Sequence, residues 1–211
     1  MIDGKLGVAI HGAGQVAQAH AASWLKNPHV KIVSVGEPRR ERAERLKAKL
    51  NLDCEVHEDF EGLLKDDRID ILDLSGPNQV HTPQGIAAAE AGKHVLVEKP
   101  MCLSMEENRA LRDAVAKAGV RSIVSFVLRW NPLFENLKSL LGAGAVGRLF
   151  YVEVDYWHEL SQWWSGWEWA HKAANGGSTM LLGGCHAVDA LRWFAGREVV
   201  EVAAFGNNVK Q

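Results

Sequence analysis

Val95-Leu96-Val97-Glu98-Lys99-Pro100 is a run of three apolar β-formers leading straight into an acid, a base and a proline. A continuous apolar run reads as a strand covered on both faces, and such strands belong to parallel sheets flanked by helices. Charge cannot sit inside that strand, so Glu98 and Lys99 mark the point where it leaves the sheet. The carboxyl edge of a parallel sheet is where α/β proteins place their chemistry. Pro100 fixes its own φ and biases Lys99 toward an extended conformation, which sets the lysine on a stiff elbow. Lys99 is therefore either a candidate acid or base, or a strand-end cation paired with Glu98 in solvent.

Strands of the same kind lie to either side. Leu6 to Ile10 is short and apolar and runs at once into Gly12-Ala13-Gly14-Gln15-Val16-Ala17. This is G-x-G-x-x-A with a strand before it and a helix after it, the context in which the first glycine makes a turn and the second admits a pyrophosphate. The phosphates would rest on the helix N-terminus. A second strand, Val30 to Val35, ends at Gly36-Glu37, about the interval expected for an acid on a ribose. Arg39 and Arg40 follow. They would pair with a 2′-phosphate, or else lie solvated on the first turns of the helix Arg40 to Leu50, so NAD is favoured and NADP stays open.

Next come a short segment around Cys54 to Val56, a helix near Asp59 to Leu64, and the strand Ile69 to Leu74 ending in Ser75-Gly76-Pro77-Asn78. Thr82-Pro83 reads as a helix start and Gly92 as its stop. Beyond Pro100, Ser104 and Glu107 form a capping box for a helix ended by Gly119, and Val120 to Val127 reads as a sixth strand. Six strands alternating with helices predict a doubly wound parallel sheet.

From Arg129 the pattern changes. A helix is expected over Pro132 to Leu141 and strands over Leu149 to Trp157 and Glu198 to Gly206. Five of the eight tryptophans lie between residues 157 and 169, suited either to the C–H faces of sugars or to packing a loop onto a sheet or interface. His186 and Asp189 open the helix between those two strands.

With 211 residues the chain suffices for one full core and part of a second. A net charge of −2 leaves no footprint for nucleic acid, and no apolar run approaches membrane-spanning length. The expected partner is a small molecule. Cys54, Cys102 and Cys185 are odd in number and lack metal-ligand spacing, and the N-terminus enters a strand without a signal-like region, so a reducing cytoplasm and no metal are expected.

Taken together, Gly12 to Ala17 with His20, Pro77-Asn78 with His81, Ala89 to His94, Glu98-Lys99-Pro100, Arg129 to Pro132, and Gly177 to His186 with Asp189 resemble the glucose-fructose oxidoreductase, inositol dehydrogenase and rhizopine-catabolism (Gfo/Idh/MocA) family. The resemblance runs from about Leu6 to Gly196. It implies a Rossmann domain over 1–128 and, over 129–211, the first part of an α+β open-sheet domain for substrate and oligomer contacts, stopped after two strands where family members continue. It implies hydride transfer between a nicotinamide cofactor and a sugar, polyol or related hydroxy compound. Redox-neutral NAD-dependent lyase or glycosidase chemistry, or nucleotide binding without catalysis, are the alternatives.

By the same resemblance, Gly12, Gly14, Gln15, Val16, Glu37, Arg39, Pro77, Asn78, His81, Glu98 and Lys99 would hold the cofactor. Arg129, Trp157, Trp167, His186 and Asp189 would meet the substrate, and Lys99 and His186 would move the proton. In the family a catalytic aspartate commonly stands four residues before the helix histidine; Leu182 stands there in this chain.

Overall fold

The computed structural model describes residues 3–159 and 161–207. The chain divides into two compact units, one of Met1–Ser125 with His158–Gly183, the other of Phe126–Trp157 with Gly184–Gln211. The stretch 129–211 is thus shared between both.

The first unit is built on six parallel strands: β1 (Leu6–His11), β2 (Val30–Gly36), β3 (Glu55–His57), β4 (Ile71–Leu74), β5 (His94–Val97) and β6 (Ser122–Val124), in the order β3-β2-β1-β4-β5-β6. This is the doubly wound arrangement expected, with its reversal of direction between β1 and β4. Alternate residues of the apolar runs serve opposite faces. Val8, Ile10 and Val35 pack with Ala17, Ala21, Ala43 and Leu46 on one side, while Ala9, Leu72, Leu74, Val95 and Val97 pack with Leu63 and Ala88 on the other. Both faces are covered, which is why the strands read as largely apolar runs, with Ser34 in β2 and Asp73 in β4 as buried polar exceptions.

Helices α1 (Gln15–Trp24), α2 (Arg40–Leu50), α3 (Phe60–Lys65), α4 (Asn78–Glu90) and α5 (Met105–Ala118) connect the strands. The capping box of α5 is present: Ser104 Oγ accepts from Glu107 N at 3.1 Å and Glu107 Oε2 accepts from Ser104 N at 3.2 Å. Gly119 closes that helix in the left-handed region at φ 67°. Two boundaries differ from the sequence reading. Helix α4 begins at Asn78, not at Thr82-Pro83, and carries Pro83 inside it. Its first turn is held from outside, by Asn78 Nδ2 donating to Gly176 O at 3.0 Å and by the His81 ring bridging Gly76 O and Pro100 O, so a missing amide at the exposed Pro83 is tolerated. Strand β6 is three residues long, shorter than Val120 to Val127, because it pairs only with β5 and its chain leaves the sheet at Ser125.

The second unit holds α6 (Pro132–Gly142) and α9 (Cys185–Ala195), preceded by a 3-10 turn over Val127–Trp130 and a π turn over Met180–Gly184 whose residues up to Gly183 are in the first unit; α7 (Trp167–Ala170) and α8 (Ala173–Gly176) are short helices of the first unit. Phe134 and Phe194 meet edge to face at 5.9 Å between α6 and α9. The strands expected over Leu149 to Trp157 and Glu198 to Gly206 are not formed among the described residues. Val152 and Val154 are half-buried between exposed neighbours, as an extended chain requires, but a strand exists only with a partner to pair its amides, and none of the five ladders includes either stretch. No described helix is long and apolar enough to cross a membrane.

Candidate dinucleotide and proton-transfer sites

The carboxyl edge of the first unit's sheet opens into a cavity of about 850 Å³, within the range of small-molecule sites. Its floor is the β1–α1 turn. Gly12 has φ 111°, and a Cβ there would stand 2.8 Å from Ser75 O, so only glycine fits. At Gly14 the reverse holds: nothing lies within 4 Å of a would-be Cβ, and the open space belongs to the cavity. Helix α1 has no side-chain cap and no acid in its first turn, so its leading amides are free to meet an anion. Gln15 and Val16 line the same wall.

Glu37 lines the cavity at the end of β2 and is only 7% exposed. Its Oε2 accepts from Ala13 N at 3.1 Å and its Oε1 from Arg39 N at 3.3 Å, with Arg39 Nε 3.6 Å from Oε1. A carboxylate has about four lone-pair sites, so this one ties the glycine turn to the β2–α2 loop and still has capacity for ribose hydroxyls. Arg39 and Pro77 also line the cavity. A cradle without side chains, an open helix N-terminus and a carboxylate at ribose distance along the sequence fit a dinucleotide.

Some lining residues carry no fingerprint in the sequence. Trp164 and Trp169, edge to face at 5.6 Å, form part of the wall. Arg42, Arg45 and Lys49 present one face of α2 to the cavity, at a spacing that a helical reading of Arg40 to Leu50 could have picked out. His11, the last residue of β1, accepts from Gln84 Nε2 at 2.9 Å; burial pushes its pKa down to about 4 against the opposing pull of Glu37, so it is neutral at physiological pH.

Asn78 and His81 stand outside the cavity lining, buried behind it. Burial lowers the His81 pKa, although both ring nitrogens face carbonyls. A neutral ring carries one N–H, so it donates to Gly76 O or to Pro100 O in turn. Glu98 and Lys99 also stand outside the lining. Lys99 Nζ donates to Leu182 O at 2.8 Å, and Lys99 N donates to Glu98 Oε2 at 3.1 Å. The ammonium thus meets the main chain of the residue whose side chain departs from the family aspartate. The Leu182 side chain is buried.

Below the elbow lies a charged cluster. His20 Nδ1 donates to both Asp73 oxygens, at 2.9 and 3.0 Å, and Nε2 donates to Glu98 Oε1 at 3.1 Å. Asp73 is fully buried and also accepts from Trp24 Nε1 at 2.6 Å and Ser75 Oγ at 2.9 Å. Burial opposes the charge on His20, yet the hydrogen bonds to Asp73 and Glu98 and their negative charges outweigh it and raise its pKa to about 10. Burial likewise opposes ionisation of Glu98, and the bonds from His20 and Ser125 overcome it and hold the carboxyl below its usual range.

In the second unit His186 is the second residue of α9, 7% exposed, beside Phe126 and Tyr156, whose ring centroids stand 6.1 and 5.7 Å away. Arg129 and Asp189 engage each other in a two-bond pair at 2.8 and 2.7 Å, with the guanidinium over the Trp193 ring. Trp157 is 92% exposed in the second unit, while Trp167 belongs to the first and stacks on His171 at 5.1 Å.

A model of an oxidoreductase family with an NAD-binding Rossmann fold matches residues 6–126, and one of the GFO/IDH/MocA C-terminal domain matches 134–211. The chain is 30% identical over 199 residues to a scyllo-inositol 2-dehydrogenase (NAD(+)) of Bacillus subtilis, covering 94% of this chain and 56% of that protein. It is 33% identical over 196 residues to D-xylose 1-dehydrogenase (NADP(+)) 2 of Haloferax volcanii, covering 93% and 58%. The WlbA dehydrogenase of Bordetella pertussis, solved with NADH and UDP-GlcNAcA, superposes with a TM-score of 0.83 at 25% identity, over 92% of this chain and 56% of that one. The chain therefore spans somewhat over half the length of these relatives.

Proposed function

The chain belongs to the Gfo/Idh/MocA oxidoreductase family with its NAD-binding Rossmann fold, and on that premise we propose that it is a nicotinamide-dependent dehydrogenase of a sugar, polyol or related hydroxy compound. The observation that carries this reading is the cavity: an open glycine cradle at Gly12 and Gly14, uncapped amides of α1 and the Glu37 carboxylate along one wall. The relatives named as inositol and xylose dehydrogenases support the substrate class.

Gly12, Gly14 and the first amides of α1 would hold the pyrophosphate, Glu37 the ribose and Pro77 the loop beside it. Glu37 favours NAD, since a buried carboxylate repels a 2′-phosphate, whereas Arg39 beside it is a counter-charge that NADP could use. A bound nicotinamide supplies the hydride acceptor or donor. The protein's own task is to orient the hydroxyl-bearing carbon and move one proton. His186 is the acid or base on the substrate hydroxyl, because an imidazole exchanges protons reversibly near neutrality. Lys99, fixed at the end of β5, would bind or polarise a substrate oxygen.

We place the protein in a reducing compartment, the cytoplasm, on its three cysteines, none of them in a disulfide, and read it as a homo-oligomer through its second unit, whose Phe150, Trp157, Val200 and Phe205 are almost wholly exposed.

The test is a panel of sugars and polyols with NAD, read by formation of reduced cofactor. Activity on at least one is expected, with Lys99→Met and His186→Asn each lowering turnover by about 10²-fold or more while NAD affinity stays within a few-fold. A protein that binds NAD and turns over nothing in the panel contradicts the dehydrogenase reading. Full activity in either variant removes that residue from the chemistry.

A further inference from the structure

The Asp73–His20–Glu98 cluster lies in the first unit, outside the cavity, and none of its members has a part in the hydride or proton step assigned above. It is nonetheless an expensive thing to bury. Asp73 is fully buried, Glu98 is 8% exposed, and the His20 side chain is 13% exposed. Two carboxylates without the cation between them would each lose their main counter-charge and repel one another. A buried ionic group kept at that cost calls for something it does.

The geometry shows what it reaches. The two oxygens of Glu98 are divided: Oε1 accepts from His20 Nε2, and Oε2 accepts from the backbone amide of Lys99. The far side of His20 is fixed in turn, because Asp73 is clamped by Trp24 Nε1 from α1 and by Ser75 Oγ from the end of β4. Ser125 Oγ, at the end of β6, stands 3.3 Å from His20 Nε2. The ends of three neighbouring strands and helix α1 thereby converge on one imidazole, whose last link is the peptide that carries the lysine. Charged groups facing His20 are Asp73 on β4 and Glu98 after β5, and Lys99 acts on Glu98 from the elbow itself.

We propose that His20, held as an imidazolium between Asp73 and Glu98, is a positioning residue for Lys99, fixing through Glu98 the peptide from which the lysine ammonium reaches Leu182 O. The importance of that position rests on the reading of Lys99 as a proton-handling group; the positioning itself does not. Without the imidazolium, Glu98 loses its only charged side-chain donor and turns, the Lys99 amide loses its acceptor, and Nζ leaves the Leu182 carbonyl. A residue that merely fills space here would alter stability and leave the lysine where it is.

The test uses the intact protein without cofactor or substrate. Trace acetylation with acetic anhydride, read by peptide mass spectrometry, gives the labelling of Lys99 relative to Lys65, whose side chain is 77% exposed. The wild-type ratio is low, since Nζ is engaged, and His20→Gln and Glu98→Gln should each raise it by about tenfold, the worth of one charge-assisted hydrogen bond. A folded His20→Gln protein with the wild-type ratio overturns the proposal. If that variant does not fold, Glu98→Gln decides by the same ratio. Nitrogen NMR of the wild-type imidazoles is a further check: His20 should be doubly protonated at neutral pH, and a neutral ring overturns the proposal. Titration of NAD into the wild type is independent. Failure to bind NAD sinks the cofactor reading without moving the lysine ratio.

Discussion

Glu37 ties two backbone amides and faces the cavity, so its replacement separates recognition from repulsion. In Glu37→Ser the carboxylate that repels a 2′-phosphate is gone while Arg39 remains, and the NADP-to-NAD affinity ratio should rise about tenfold, the equivalent of roughly 1.4 kcal/mol. NAD affinity itself should fall, because Ala13 loses its acceptor. An unchanged ratio in titrations with both nucleotides places Glu37 away from the ribose. The interval from the glycines to Glu37 made this residue legible in the sequence, since a strand, helix and strand of ordinary length fix it. His20 was legible only as part of a resemblance. Its partners lie 53 residues away at Asp73 and farther at Glu98, and no spacing rule announces a contact made by folding.

At the scale of elements, local signals predicted well wherever the element is stabilised locally. The Ser104 and Glu107 box is such a case, and Ser104→Ala should cost about 1 kcal/mol of unfolding free energy, read in a denaturant titration. A cost near zero means that α5 is held by its Leu111 contacts alone. The start of α4 was misread because Pro83 usually opens a helix, whereas here Asn78 and His81 are anchored by distant carbonyls at Gly176 and Pro100 that override it. The stretches 149–157 and 198–206 were misread for a related reason. Alternation reports an extended chain, but a strand also needs a neighbour, and the neighbour is not written in the segment.

For the molecule as a whole, the buried cation gives stability a pH dependence with a defined sign. The folded-state pKa of His20, about 10, lies above the unfolded value of 6.5, so its contribution is complete below the unfolded pKa and is lost as pH rises through about 10. The melting temperature should therefore fall from neutral pH toward alkaline pH more steeply in wild type than in His20→Gln, which starts lower. Equal slopes in thermal melts of the two proteins mean that His20 does not carry the charge. The doubly wound sheet was legible because its central strands, covered on both faces, are mainly apolar, Ser34 in β2 and Asp73 in β4 being buried exceptions.

A dinucleotide held by the glycine cradle and the helix N-terminus behind it is what the proposed function requires first. Trp164 and Trp169 in the cavity wall make it measurable by energy transfer from tryptophan to a reduced nicotinamide. Titrating NADH into wild type and Gly14→Val is the most direct test, because a Cβ at residue 14 meets no protein atom within 4 Å and φ there is −79°, so the variant should melt close to wild type. A saturable transfer signal is expected in wild type and is lost in folded Gly14→Val, where the side chain blocks approach of the pyrophosphate. No saturable signal in wild type, or the same affinity in both proteins, would contradict it.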